Sequence, residues 1–195
     1  MIVKTDLWEF LYQSKKINKP IRLIELFAGI GSQFKALKVL GAKVENYKTC
    51  EWAIYSILAY KNIHHSEDKR DFSLGLTKEQ LADKLDGISA DYNRALTKEE
   101  ILHRSIYELR NIYNACIINK NLIDISKVSG SDLEIVEKDK YEYIMTYSFP
   151  CQDLSSAGLR KGMENGTRSG LLWQVERILD ELRERERVIS FLKFF

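Results

Sequence analysis

Ile21-Arg22-Leu23-Ile24-Glu25-Leu26-Phe27-Ala28-Gly29-Ile30-Gly31-Ser32 is the stretch on which the fold turns. Ile21, Leu23, Ile24 and Leu26 make a short apolar run, interrupted by Arg22 and Glu25, as expected of a buried strand. The run breaks at the two glycines. A helical pattern follows through Ala36, Leu37 and Leu40, with Gly41 placed to end it. Residues 42–50 read as a second strand with Glu51 at its end, and residues 53–62 as a helix with Ile54, Ile57 and Leu58 on one face. Strand, glycine loop, helix, strand, acid is the opening of a nucleotide-type α/β fold.

Beyond it, residues from about 64 to 118 read as a helical, polar and loosely packed insertion without chemistry of its own. Thr77-Lys78-Glu79-Gln80 and Thr97-Lys98-Glu99-Glu100 carry the capping-box pattern of two helix starts. Ile101, Ile106, Leu109, Ile112, Tyr113 and Cys116 keep helical spacing, so Cys116 reads as a small buried hydrophobe. Strands are expected at 121–125 and 143–148, and Leu171, Leu172, Val175, Ile178, Leu179 and Leu182 mark an amphipathic helix. Residues 188–192 are β-rich enough to occupy a fifth strand position. The expected architecture is a mostly parallel sheet with helices on both faces.

The 195 residues, 45% hydrophobic and 30% charged, fit one globular domain and exclude disordered, collagen-like and coiled-coil classes. Thirty Lys and Arg against 28 Asp and Glu leave a formal charge of +2, which neither announces nor excludes a nucleic-acid partner. No apolar run approaches the roughly 20 residues of a membrane helix, and residues 1–6 lack a signal-peptide stretch. The expectation is a cytoplasmic protein without a membrane partner. Cys50, Cys116 and Cys151 are odd in number and far apart, and His64 and His65 are adjacent and so share no face. Neither set has metal-ligand spacing, and no metal site is expected.

Two places carry candidate chemistry. Gly29 and Gly31 permit a tight turn and the approach of a ligand where a Cβ would block it. A dinucleotide fingerprint would need a further glycine where Phe34 stands, which disfavours NAD. Glu51, at the end of the next strand, is placed to accept both ribose hydroxyls of an adenosine, and Trp52 beside it could stack on adenine. Cys151 follows Pro150 at the carboxyl end of an expected central strand, where α/β folds place ligands. Its neighbours Gln152, Asp153, Ser155, Ser156, Arg160 and Lys161 are polar, and Gly158, Gly162 and Gly166 punctuate a loop suited to closing over an anionic ligand.

Phe27-Ala28-Gly29-Ile30-Gly31, Glu51-Trp52, Asp124-Ile125, Phe149-Pro150-Cys151-Gln152 and Arg168-Ser169-Gly170-Leu171 fall in the order of the first five blocks of the DNA (cytosine-5) methyltransferases. The chain resembles that family over about residues 20–182. The resemblance implies a Rossmann-like methyltransferase fold, incomplete here, and S-adenosyl-L-methionine as cofactor. It implies that residues 27–31 touch the cofactor, Glu51 holds its ribose, Trp52 and Ile125 flank adenine, and Asp124 accepts from the adenine amino group. Pro150 and Leu171 would complete the pocket. Cys151 would be the nucleophile towards a cytosine flipped out of double-stranded DNA, with Gln152, Ser155, Arg160, Lys161 and Arg168 on the DNA-facing loop.

The sequence departs from the family in lacking the later Glu-Asn-Val block and the target-recognition region, and residues 183–195 match nothing expected there. The expectation is therefore a single truncated catalytic domain over residues 1–195, from a prokaryotic or phage restriction-modification system. Three alternatives stay open: an amino-terminal portion inactive alone, half of a split enzyme completed by a second polypeptide, and a non-catalytic cofactor-binding module.

Overall fold

The computed structural model describes residues 17–148 and 171–185. Three parallel strands form the sheet: β1 (Ile21–Leu26), β2 (Val44–Cys50) and β3 (Glu142–Tyr147), in the order β2-β1-β3. In register, Leu26 at the end of β1 faces Cys50 of β2 and Tyr147 of β3, so all three strands end together at one edge. β1 is central because alternate residues bury on both sides. Ile21, Leu23 and Ile144 pack with Phe34 and Tyr60, while Ile24, Leu26 and Met145 pack with Val175, Ile178 and Leu182. Phe34 lies on α1 (Ser32–Val39), Tyr60 on α2 (Ile54–His64), and Val175 to Leu182 on α6 (Leu172–Arg185). Helices thus cover both faces, and the fold is α/β and Rossmann-like, as the sequence predicts.

Two local expectations hold. Gly41 closes α1 with φ +74°, its N–H donating to the Lys38 carbonyl. Thr77 and Thr97 both form complete capping boxes, opening α3 (Lys78–Lys84) and α4 (Lys98–His103). Arg22 is tolerated in a buried strand because its guanidinium lies 3.6 Å over the Tyr141 ring and donates to Glu45 at 2.8 Å and to the Tyr143 hydroxyl at 2.9 Å.

Two expectations are corrected. The segment of about 64–118 is not loosely packed. α3, α4 and α5 (Ile106–Asn119) enclose Leu81, Leu85, Ile88, Ile101, Leu109 and Ile112, together with Ile54 and Ile57 of α2. Its hydrophilic composition reflects short helices with wide outer faces, not a missing core. Cys116 is buried in that cluster, as expected. Ile54, Ile57 and Leu58 share the face of α2 that packs on this cluster, as expected, and α2 also buries Ser56 and Tyr60 because it is clasped on two sides.

Secondly, residues 121–125 form no strand. Asn121 makes an isolated parallel bridge to Thr49, and the chain then turns away with Ile123 at φ +61° and the Asp124 N–H on the Leu122 carbonyl. The Asn121 side chain supplies the hydrogen bonds a fourth strand would have made. The strand expected at 188–192 lies outside the described residues.

Candidate functional site

The edge where the strands end collects the site. Leu26 hands over to a loop in which Phe27 (φ +58°), Gly29 (φ +55°) and Gly31 (φ +80°) are all left-handed. The Ala28 N–H donates to the Cys50 carbonyl at 3.1 Å and the Gly31 N–H to the Ala28 carbonyl at 2.9 Å, which ties the loop to the end of β2. Glu51 then closes the arrangement. One carboxylate oxygen accepts from the Gly29 N–H at 2.9 Å, and the other from the Ala53 N–H, ahead of α2, at 2.8 Å. Glu51 is nearly buried, and burial raises its pKa despite those donors. Each oxygen keeps a further lone pair for a ligand hydroxyl.

The two glycines do different jobs. A Cβ on Gly29 would meet nothing within 4 Å, so this peptide lies open, as a ligand cradle requires. A Cβ on Gly31 would lie 2.4 Å from His64 Nε2 and 2.5 Å from Tyr60 Cε2. The space kept by Gly31 is thus occupied by the protein itself, which corrects the expectation that both glycines admit a ligand. His64, whose pKa burial lowers, donates from Nε2 to the Ile30 carbonyl at 2.9 Å, pinning the loop from behind. Gly31→Ala is expected to destabilise the chain by about 2–5 kcal/mol, from left-handed strain plus overpacking. Gly29→Ala should cost only about 1–2 kcal/mol, from backbone strain alone. Urea titration of the two variants checks this, and equal losses would contradict it.

Glu25 is a site residue the sequence reading passed over as a mere interruption of the strand. It is 1% exposed, accepting from the Phe34 N–H at 3.2 Å and the Tyr60 hydroxyl at 2.6 Å. It caps α1 from beneath and fixes Tyr60, and burial raises its pKa. An acid within an apolar run was the available signal, since such a group must find donors.

The remaining expected residues are placed as follows. Ala28 is buried and Ile30 is half exposed. Trp52 is half-buried, and its carbonyl accepts from the Ser89 N–H at 2.8 Å. Asp124 accepts from the Ser126 N–H and hydroxyl through one oxygen, while the other lies 3.8 Å from Lys127 Nζ. Gly87, with φ +95°, packs against it, since a Cβ there would lie 3.0 Å from Asp124 Cβ. Ile125 is 6% exposed and belongs to the core under α6, where Phe27 and Leu171 also pack. Pro150, Cys151, Gln152, Ser155, Arg160, Lys161 and Arg168 lie outside the described residues. The other two cysteines, Cys50 and Cys116, are buried, and burial pushes both thiols up, that of Cys116 to about 12. No helix among the described residues is long and apolar enough to cross a membrane.

Comparison with known proteins adds a family. The family model for C-5 cytosine-specific DNA methylase matches residues 96–184. The chain is 35% identical over 177 residues to the orphan methyltransferase M.SssI of Spiroplasma monobiae, covering 87% of this chain and 44% of that protein. It is 31% identical over 178 residues to the type II methyltransferase M2.ScrFI of Lactococcus lactis subsp. cremoris, covering 89% of this chain and 47% of that one. The chain therefore spans about half the length of the curated relatives it matches.

Proposed function

Since the chain belongs to the C-5 cytosine-specific DNA methylase family, we propose that it is the cofactor-binding and nucleophile-bearing part of a DNA (cytosine-5) methyltransferase that uses S-adenosyl-L-methionine. The observation that carries this reading is the carboxylate of Glu51 beside the open Gly29 peptide at the carboxyl ends of three parallel strands. Glu51 would hold the ribose hydroxyls, the loop 27–31 would lie along the cofactor, Trp52 would stack on adenine and Asp124 would accept from its amino group. Ile125, Pro150 and Leu171 would bound the pocket. When bound, the cofactor supplies an electrophilic methyl group.

The chemistry of this chain would rest on Cys151. Its thiolate would form a bond to C6 of a flipped-out cytosine, the C5–C6 π electrons would move to C5, and C5 would take the methyl group as the sulfonium S–CH3 bond breaks and S-adenosylhomocysteine leaves. Loss of the C5 proton then expels the thiolate and restores the aromatic ring. Gln152, Ser155, Arg160, Lys161 and Arg168 would face the DNA, whose phosphates the three cations would contact. We assign residues 1–195 to one catalytic domain with a helical insertion at about 64–118. The activity is proposed for the whole protein of which this chain matches about half, the rest supplied in the same chain or by a second polypeptide. We place it in a restriction-modification system of a prokaryote or phage, a reading that the type II methyltransferase among its relatives supports.

The experiment is transfer of labelled methyl groups from S-adenosylmethionine to double-stranded DNA, by the chain alone and with the matching half of a relative added. Label on cytosine C5 in either arm supports the reading. Cofactor binding without transfer in both arms would leave a non-catalytic binding module instead.

A further inference from the structure

Glu51 stands at a place where the sheet gives its backbone no partner strand. β2 is bonded to residues 120–122 only through Thr49, whose N–H donates to the Lys120 carbonyl at 3.1 Å and whose carbonyl accepts from the Leu122 N–H at 2.8 Å. Beyond Thr49 the neighbouring backbone turns away, and the carboxamide of Asn121 continues in its place. Its Oδ1 accepts from the Glu51 N–H at 2.9 Å, and its Nδ2 donates to the Glu51 carbonyl at 2.9 Å. The Glu51 N–H can only donate and its carbonyl can only accept, which fixes the end of the amide that faces each, and the Thr49 hydroxyl lies 3.3 Å from the same Oδ1.

Asn121 is itself rigidly delivered. It follows α5 directly, after Lys120 in the left-handed conformation that ends the helix. The preceding Asn119 is 2% exposed and bolts the end of α5 down: its Nδ2 donates to the Ile57 carbonyl, and its carbonyl accepts from Asn46 and Thr49 side chains. The helical segment is thus wired to the acid at the strand end through one carboxamide.

We propose that Asn121 is a positioning residue that holds Glu51 in the orientation that accepts the two ribose hydroxyls of the cofactor. The proposal rests on the reading of Glu51 as the ribose-binding acid. It makes Asn121 a determinant of how strongly the site discriminates a ribose from a sugar without hydroxyls.

The test measures binding of S-adenosylhomocysteine and of its 2′,3′-dideoxy analogue by calorimetry, for wild type, Asn121→Ala and Asn121→Asp. Wild type should prefer the parent compound. Asn121→Ala should weaken the parent about 10-fold, the equivalent of one or two hydrogen bonds, and the analogue less than about twofold. Asn121→Asp keeps the acceptor for the Glu51 N–H but sets a second carboxylate close by. It should move the acidic limit of binding to higher pH, an effect that mere loss of packing would not produce. A wild type that binds neither compound, or both equally, would overturn the reading of Glu51 and the role of Asn121 with it. A discriminating wild type whose variants lose both compounds equally, with an unmoved pH limit, would overturn Asn121 alone.

Discussion

Replacing Cys151 by serine is expected to lower methyl transfer to DNA on the order of 10⁴-fold or more, the scale seen when a covalent nucleophile is removed. C5 of cytosine is too weak a nucleophile to take a methyl group until a group adds at C6. A thiolate can add near neutral pH, whereas a neutral hydroxyl without a strong base cannot. The chain has three cysteines, and two of them are excluded by their surroundings. Cys50 lies 2% exposed with its thiol on the Ile123 carbonyl, and Cys116 is buried among the helices with its thiol held up at about 12. We therefore propose Cys151 for the covalent step. DNA containing 5-fluorocytosine should form a stable adduct with the wild-type protein, because fluorine cannot leave as a proton does, and none with Cys151→Ser. An adduct of undiminished yield in the serine variant, or one mapping to another residue, would contradict the assignment.

The opening of the fold was legible because its signals are local. A short apolar run, a tight glycine turn and a helical pattern each depend on neighbours within a few positions, and the structure has all three over residues 21–39. Glu51 was legible for the same reason, as the first acid after a strand. What escaped depends on contacts between distant positions. Glu25 finds its donors at Phe34 and Tyr60, and nothing near Glu25 announces Tyr60. Gly31 reads as room for a ligand until Tyr60 and His64 are seen filling that room from α2. Residues 121–125 have strand-like composition, yet one asparagine side chain replaces the ladder and lets the backbone leave the sheet. A short apolar run cannot reveal such a substitution, because it depends on where Thr49 and Glu51 stand.

The helical segment shows the same limit from another side. Its two capping boxes were readable residue by residue, but its packing was not. Leu81 and Ile101 come from helices of 7 and 6 residues, too short to show a full amphipathic stripe, and only their assembly with α5 makes a core. That core holds α5, and α5 presents Asn121 to Glu51. An insertion that looked chemically idle thus has a physical route to the site.

The second large effect is expected at Glu51. Glu51→Ala should weaken S-adenosylmethionine binding about 10²–10³-fold, the loss of two hydrogen bonds from a charged acceptor to the ribose. It should also loosen the loop, since the Gly29 and Ala53 N–H groups lose their acceptor together. The pH dependence separates the two consequences. Burial raises the pKa of Glu51, so ionisation costs more in the folded chain than in the unfolded one. Its contribution to stability is then complete below the ordinary carboxylate pKa and is lost as pH rises through the raised value. Binding runs the other way, because the ribose hydroxyls are best accepted by the ionised carboxylate. Affinity should fall as pH falls through that same raised pKa. Glu51→Gln keeps the shape but cannot ionise, so it should bind weakly and lose this pH dependence. Calorimetric titrations of wild type and Glu51→Gln from acid to neutral pH make the comparison. A wild-type affinity that stays flat across the range, or a glutamine variant that follows the wild-type curve, would mean that Glu51 does not hold the ribose.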